Sequence, residues 1–168
     1  MMIRIGVLLL SALPLVAVAE EVVIQKTWRG IIFLPRSFPG KALKAKPSPL
    51  KVVRDAKGYD EFLKLIPKKQ ISRTRPAPPN TDPLLKKPPV DFTRHTLLAI
   101  SRPSMTRPVF KKITEGEKDV MVSVEFPREF PAAHPIHIGT YTAVLIPKSD
   151  KSVQLRLIEL GRKQKPAK

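Results

Sequence analysis

The chain has 168 residues, of which 31 are lysine or arginine and 14 are aspartate or glutamate, so its net charge at neutral pH is +17. Cysteine is absent, which excludes disulfide bridges, thiolate metal sites, iron–sulfur clusters and cysteine nucleophiles. A positive charge of this size favours an anionic partner, and it carries no information about the fold.

The first residues have the form of a secretory signal peptide. Arg4 supplies a basic start, residues 5–18 are almost entirely apolar, and Ala17-Val18-Ala19 provides the small residues that signal peptidase requires. The apolar stretch is shorter than the roughly 20 residues of a membrane-spanning helix. We therefore expect residues 1–19 to be cleaved and the mature protein to be exported, periplasmic or extracellular, without a transmembrane helix. No cysteine follows the stretch, which excludes a bacterial lipoprotein anchor.

A first strand is predicted over Glu21–Trp28, which is rich in β-branched residues, and Arg29-Gly30 is expected to end it. A short strand is predicted again over Leu50–Arg54. Asp55 is then expected to cap a helix over Ala56–Ile66 that Pro67 stops. Four apolar residues share one face of this helix: Tyr59, Phe62, Leu63 and Ile66.

A proline- and lysine-rich loop follows over residues 67–89, which hold seven of the 19 prolines. Because proline offers no backbone donor, the loop is predicted to be mostly disordered or to follow the surface. Residues 35–89 contain 14 basic residues and four acidic ones. We therefore consider a binding surface for a polyanion or a partner, formed by Arg36, Lys41, Lys44, Lys46, Lys68, Lys69, Arg73 and Arg75.

The segment Val90–Ser101 is predicted to organise the fold. Its unbroken apolar run Leu97–Ile100 is typical of a strand buried on both faces. Asp91 precedes the run, and we favour a turn or capping role for it over that of a site carboxylate. Phe92 and Trp28 are interpreted as core residues.

Two hairpins are predicted after this strand. Val109–Ile113 and Asp119–Phe126 form one, and Thr140–Pro147 and Lys151–Ile158 form the last one, around residues 148–150. The sequence thus predicts an α+β fold in a single domain over residues 20–161. We expect a mainly antiparallel sheet of about six strands with one helix packed on one face, followed by a basic tail at 162–168.

The element order and the motif Pro88-Pro89-Val90-Asp91-Phe92-Thr93 resemble the PrcB C-terminal-like family, whose members often carry Pro-x-Val-Asp-Phe-Ser/Thr at this place. The resemblance covers roughly residues 50–158 and marks Val90, Asp91, Phe92 and Thr93 as a structural motif. It implies a small, exported, non-catalytic domain, and the founding member is an accessory subunit of a protease complex. Many members have a glycine-rich step after the central strand, whereas residues 101–108 contain no glycine here.

The candidate chemistry is sparse. His134 and His137 form the one close histidine pair, and a metal site would need them to converge with Glu125, Glu129 or His95. Pro135 between them disfavours helical ligand spacing, so we interpret both as ordinary loop histidines and predict no metal and no cofactor. No serine lies in a glycine-flanked nucleophile elbow, and no glycine-rich phosphate loop is present.

The sequence therefore indicates a non-catalytic protein. The expected function is that of an exported protein-interaction domain, an accessory or stabilising subunit of a secreted complex. The alternative is a basic surface that binds an anionic envelope polymer or lipid headgroups. Nucleic acid is not expected as a partner of an exported protein.

Overall fold

The computed structural model describes residues 19–34, 48–71, 76–127 and 137–158, and these form eight strands, one α-helix and one 3₁₀ turn. The strands are β1 (Glu20–Glu21), β2 (Lys26–Phe33), β3 (Leu50–Val53), β4 (His95–Arg102), β5 (Val109–Glu115), β6 (Asp119–Glu125), β7 (Ile138–Pro147) and β8 (Ser152–Ile158). The helix is α1 (Ala56–Leu63), and the 3₁₀ turn is Pro83–Lys86. Residues 1–18 of the predicted signal peptide at 1–19 lie outside the described residues, as does the predicted basic tail at 162–168. No helix in the described ranges is long and apolar enough to span a membrane.

The strands form two four-stranded sheets that pack face to face. The central sheet has the order β2-β7-β4-β3 and is antiparallel throughout, and the outer sheet has the order β1-β5-β6-β8. One core lies between the central sheet and α1, and a second core lies between the two sheets. The layers are therefore helix, central sheet and outer sheet.

The apolar run of β4 explains this arrangement, since alternate residues of a strand face opposite sides. Leu97 and Ala99 lie in the helix-side core, whereas Leu98 and Ile100 lie in the core between the sheets. All four are at most 2 % exposed, which confirms a strand buried on both faces. β7 alternates in the same way and pairs with β4 over eight residue pairs.

The α+β class and the single helix agree with the sequence prediction, whereas the sheet of about six strands is matched only roughly, by eight strands in two sheets. The predicted last hairpin is wrong, because β8 does not pair with β7. Both edges of β7 are occupied, by β2 on one side and by β4 on the other. β8 crosses to the outer sheet and runs parallel to β6. The connection is held by Arg54, whose guanidinium donates to the carbonyl of Ser149 at 3.0 Å and to that of Lys151 at 2.6 Å. The β5–β6 hairpin is confirmed.

The predicted break at Arg29-Gly30 is also wrong, since β2 runs through both residues to Phe33. The predicted first strand is instead divided, because Glu20–Glu21 pairs with β5 in the outer sheet and Lys26 begins the pairing with β7 in the central sheet.

The helix begins as predicted, with the Asp55 side chain accepting the N–H of Gly58 at 2.6 Å. It ends at Leu63 rather than at Ile66, because the backbone tightens into i→i−3 hydrogen bonds at Leu65 and Ile66. This turn still places Ile66 in the helix-side core with Tyr59 and Phe62.

Replacing either Leu97 or Leu98 by alanine tests the two-sided burial of β4. Both side chains are fully buried on opposite faces, so each truncation should lower the free energy of unfolding by about 2–5 kcal/mol in denaturant melts. Leu157→Ala is the control, since this side chain on β8 is 48 % exposed and its truncation should cost about 0.5 kcal/mol or less. A small cost for one of the two β4 variants would contradict the three-layer arrangement.

Candidate binding site at the edge of the central sheet

A polar groove of about 300 Å³ runs along the open edge of β2. We call it the edge groove. One wall is β2 itself, the other is the proline-rich segment 67–71 and 76–89, which we call the strap, and the turn between β4 and β5 contributes one residue. The lining residues are Arg29, Gly30, Ile31, Gln70, Ile71, Asn80, Thr81, Asp82, Pro83 and Arg107.

The strap follows the surface in its described parts and is fixed by backbone hydrogen bonds between its two arms. Gln70 donates to the carbonyl of Pro78 at 2.8 Å, and Asn80 donates to that of Lys68 at 3.0 Å. The Asn80 amide adds a bond of 2.7 Å to the Pro67 carbonyl. Its anchor is Leu84, which is fully buried in the helix-side core. The strap is therefore both a cover for the core and a wall of the groove.

Asp82 forms the floor of the groove and joins the strap to the sheet. Its carboxylate accepts the N–H of Leu84 at 2.9 Å, which caps the 3₁₀ turn, and Tyr141 Oη lies 2.8 Å from Oδ2 and 3.0 Å from Oδ1. A Cβ at Gly30 would lie 1.9 Å from Oδ2, so the lack of a side chain there admits the carboxylate. Hydrogen bonds of this kind are what a buried carboxylate requires.

The floor is built for structure rather than for proton transfer. Burial raises the pKa of Tyr141 far above its ordinary range, and the neighbouring Asp82 carboxylate raises it further, so the phenol stays protonated and donates. Among the described residues that line the groove there is neither a serine nor a histidine. The Asp82–Tyr141 pair is therefore a fixed hydrogen bond that holds the floor of the groove in place.

Arg107 reaches the groove because the turn 103–108 is tied to β7. Thr140 donates its hydroxyl to the carbonyl of Thr106 at 2.8 Å, and Thr142 donates to that of Pro108 at 2.5 Å. The glycine-free step noted in the sequence is thus an ordered turn that carries a cation to the groove. Arg107 is exposed, and its charge acts to lower the pKa of Tyr141, against the larger effects of burial and of Asp82.

The cations that line the groove have no ion-pair partner among the described residues. Four ion pairs occupy lysines away from the groove: Lys87 with Asp60, Lys111 with Glu125, Lys112 with Glu21 and Lys151 with Glu115. Arg29 and Arg107 have no such partner among the described residues, and neither have Lys68 and Lys69 on the strap, two and one positions before Gln70. The groove therefore has an excess of unpaired positive charge.

Of the eight residues predicted to form a basic surface, the structure places two. Lys68 and Lys69 lie exposed on the strap beside the edge groove. The other six lie outside the described residues: Arg36, Lys41, Lys44, Lys46, Arg73 and Arg75. Arg29 and Arg107 were not recognised from the sequence. The available signals were Gly30 within an apolar strand, which marks close approach of another group, and the capping pair Asp82-Pro83.

The structural motif Val90–Thr93 leads into β4. Asp91 accepts the backbone N–H of Thr93 at 2.9 Å and its hydroxyl at 2.5 Å, which confirms the turn role. Phe92 packs edge-on against Tyr59 with ring centroids 5.8 Å apart, and Val90 also contacts the helix-side core. Trp28 is 5 % exposed in the same core. The motif therefore stabilises the entry to the central strand.

The two histidines that the structure describes, His95 and His137, belong to different strands or turns of the fold. His95 lies with Nδ1 3.0 Å from the Asp91 carbonyl, His137 is exposed, and His134 lies outside the described residues, as does Glu129. Glu125 is paired with Lys111 at 2.6 Å. Within the ranges that the structure describes, no three histidine or carboxylate side chains are placed to hold a metal ion.

Comparison of the chain with protein-family models, with curated proteins and with solved structures finds no match.

Replacing Gly30 by alanine tests the contact between the strap and β2. The new methyl group would meet Oδ2 of Asp82, so the free energy of unfolding should fall by about 1–3 kcal/mol. Because Asp82→Ala removes that oxygen, the two costs should be less than additive in a double-mutant cycle. Gly58→Ala, where the nearest atom is 3.2 Å away, is the matched control and should cost less. Full additivity would contradict the contact.

The Asp91 turn makes a separate prediction about pH. The hydroxyl and N–H of Thr93 hold the pKa of Asp91 below its ordinary value. The stability that the turn contributes to the fold is therefore complete above the ordinary carboxyl pKa and is lost as the pH falls through the lowered pKa. Thr93→Val should raise the pKa of Asp91 in an NMR titration, whereas Thr93→Ser should preserve it. An unchanged pKa in the valine variant would exclude the hydroxyl as its cause.

Proposed function

We propose that this chain is an exported, non-catalytic interaction domain whose partner is another exported protein. The edge groove is the site that supports this function best. Its floor is fixed by the Asp82–Tyr141 hydrogen bond, and its walls come from three separate parts of the chain. Export is proposed from the signal-peptide pattern at residues 1–19.

The observation that carries the proposal is that two exposed arginines, Arg29 and Arg107, lie at one groove without an ion-pair partner among the described residues. The carboxylate that lines the groove, that of Asp82, is already hydrogen-bonded to Tyr141 and to the N–H of Leu84. Arginine offers a rigid fork of donors that suits carboxylates in an interface. A protein partner with acidic groups would supply the missing counter-charges.

Kinship with the PrcB C-terminal-like family is part of the same proposal. The motif Val90–Thr93 supports it, since its residues are placed to cap a turn and to pack into the core at the entry to β4. An accessory role beside an exported enzyme, in which this chain stabilises a partner, would fit a groove whose described lining contains no serine and no histidine.

Binding of an anionic envelope polymer or lipid headgroups is the second candidate. The exposed side chains of Lys68 and Lys69 favour it, because cations on a surface segment attract a polyanion without a shaped interface. Such binding would be governed by charge density and would fall steeply with salt.

The two candidates are separated by affinity capture from periplasmic extract and culture medium with the tagged mature chain. At low salt we expect a defined protein to be enriched and its retention to fall when Lys68→Glu and Lys69→Glu are combined. The control combines Lys118→Glu and Lys148→Glu, two exposed lysines that change the net charge equally and lie outside the groove. Retention on heparin with no enriched protein would favour the polymer, and retention of neither would contradict both candidates.

A further inference from the structure

We infer that the edge groove binds an extended acidic peptide segment of the partner, which adds as a strand to the open edge of β2. This inference rests on the proposed function and specifies its site and chemistry. It is carried by the direction of the backbone groups of β2, by the shape of the groove and by its charge.

The backbone of β2 faces the groove with unpaired hydrogen-bonding groups. β2 is an edge strand of the central sheet, and Phe33 donates its N–H away from β7, to the Leu65 carbonyl at 2.8 Å. Because backbone direction alternates along an antiparallel strand, the N–H and C=O groups of Ile31 and Arg29 point to the same side. Among the described residues none of these groups has a hydrogen-bond partner.

The opposite wall leaves room for a chain. Gln70 and Ile71 of the strap face β2 across a volume of about 300 Å³, at the lower end of the roughly 300–1,000 Å³ of ligand sites. The strap already satisfies its own backbone through the bonds of Gln70 and Asn80. The unpaired backbone N–H and C=O groups at the groove are therefore those of β2. An open strand edge of this kind is what a peptide uses when it extends a sheet.

Charge selects the occupant. The Asp82 carboxylate is 7 % exposed and is already bonded to Tyr141 and to the N–H of Leu84, whereas Arg29 and Arg107 are exposed at the groove. Carboxylates on the added strand would meet these arginines. A basic or neutral segment would leave them unpaired, so the geometry and the charge together favour an acidic extended peptide.

The test uses an acetylated, amidated and fluorescently labelled peptide of alternating glutamate and valine, measured by fluorescence anisotropy against the mature chain. A second peptide has the same sequence but is N-methylated at alternate residues, which removes backbone donors and keeps the charge. We expect the first peptide to bind and the second to bind more weakly by a factor of about ten or more. Equal binding of the two would overturn strand addition and leave charge alone as the cause.

Variants of the protein locate the site. Ile31→Pro removes an N–H that points away from β7, so it spares the ladder and should weaken binding, whereas Ile31→Val should not. Arg29→Glu and Arg107→Glu should each weaken it by about tenfold, and Lys118→Glu, at the other end of β5 from Arg107, should leave it unchanged. Circular dichroism checks each fold. If Ile31→Pro does not fold, the arginine variants and the methylated peptide provide the test. Peptide affinity that changes neither in the arginine variants nor on N-methylation would overturn the inference.

The same variants distinguish this inference from the proposed function. Capture of a protein partner that is lost in Lys68→Glu/Lys69→Glu and unaffected by Ile31→Pro, Arg29→Glu and Arg107→Glu would overturn the strand addition and leave the interaction domain in place. Capture of no partner together with no peptide binding would overturn both.

Discussion

Burial of the β4–β7 pair on both faces is the constraint on which the rest of the structure depends. Leu97 and Leu98 are neighbours in the chain and belong to different cores, so each face of the central sheet must be covered by another layer. α1 and the strap cover one face, and the outer sheet covers the other. Both edges of β4 and of β7 are used for pairing. The polar side chains that these two strands bury, Thr96, Thr140 and Thr142, are accordingly hydrogen-bonded.

Asp82 shows how the strap is fixed despite its composition. Proline-rich segments lack backbone donors, and a buried carboxylate is costly unless it is hydrogen-bonded. Here hydrogen bonds to the Asp82 carboxylate both offset the cost of burying it and hold the proline-rich strap in place. The carboxylate accepts from Tyr141 and from the N–H of Leu84, while Gly30 provides the space, so one acidic side chain fixes the strap to β2 and β7. The charged residues of the strap are then free to face outward.

The sequence predicted best where short-range patterns coincide with burial. The Asp55 cap, the β5–β6 hairpin and the run Leu97–Ile100 depend on neighbours or on a simple period, and all are confirmed. The division into two sheets was not predictable, because no local pattern in Thr140–Pro147 indicates that both edges of this strand pair with other strands. The groove was missed for the same reason: Arg29, Asp82 and Arg107 are far apart in the chain and are joined by tertiary contacts.

An open strand edge is a liability, since its unpaired backbone groups can template association with any extended chain. Charged residues at an edge reduce that risk, and Arg29 and Arg107 lie beside the open edge of β2. In a protein with a net charge of +17, another copy of the chain is repelled from such an edge. An acidic segment is attracted to it. The same arginines thus act against self-association and in favour of a partner of opposite charge, which makes a protected edge and a selective binding site compatible in one strand.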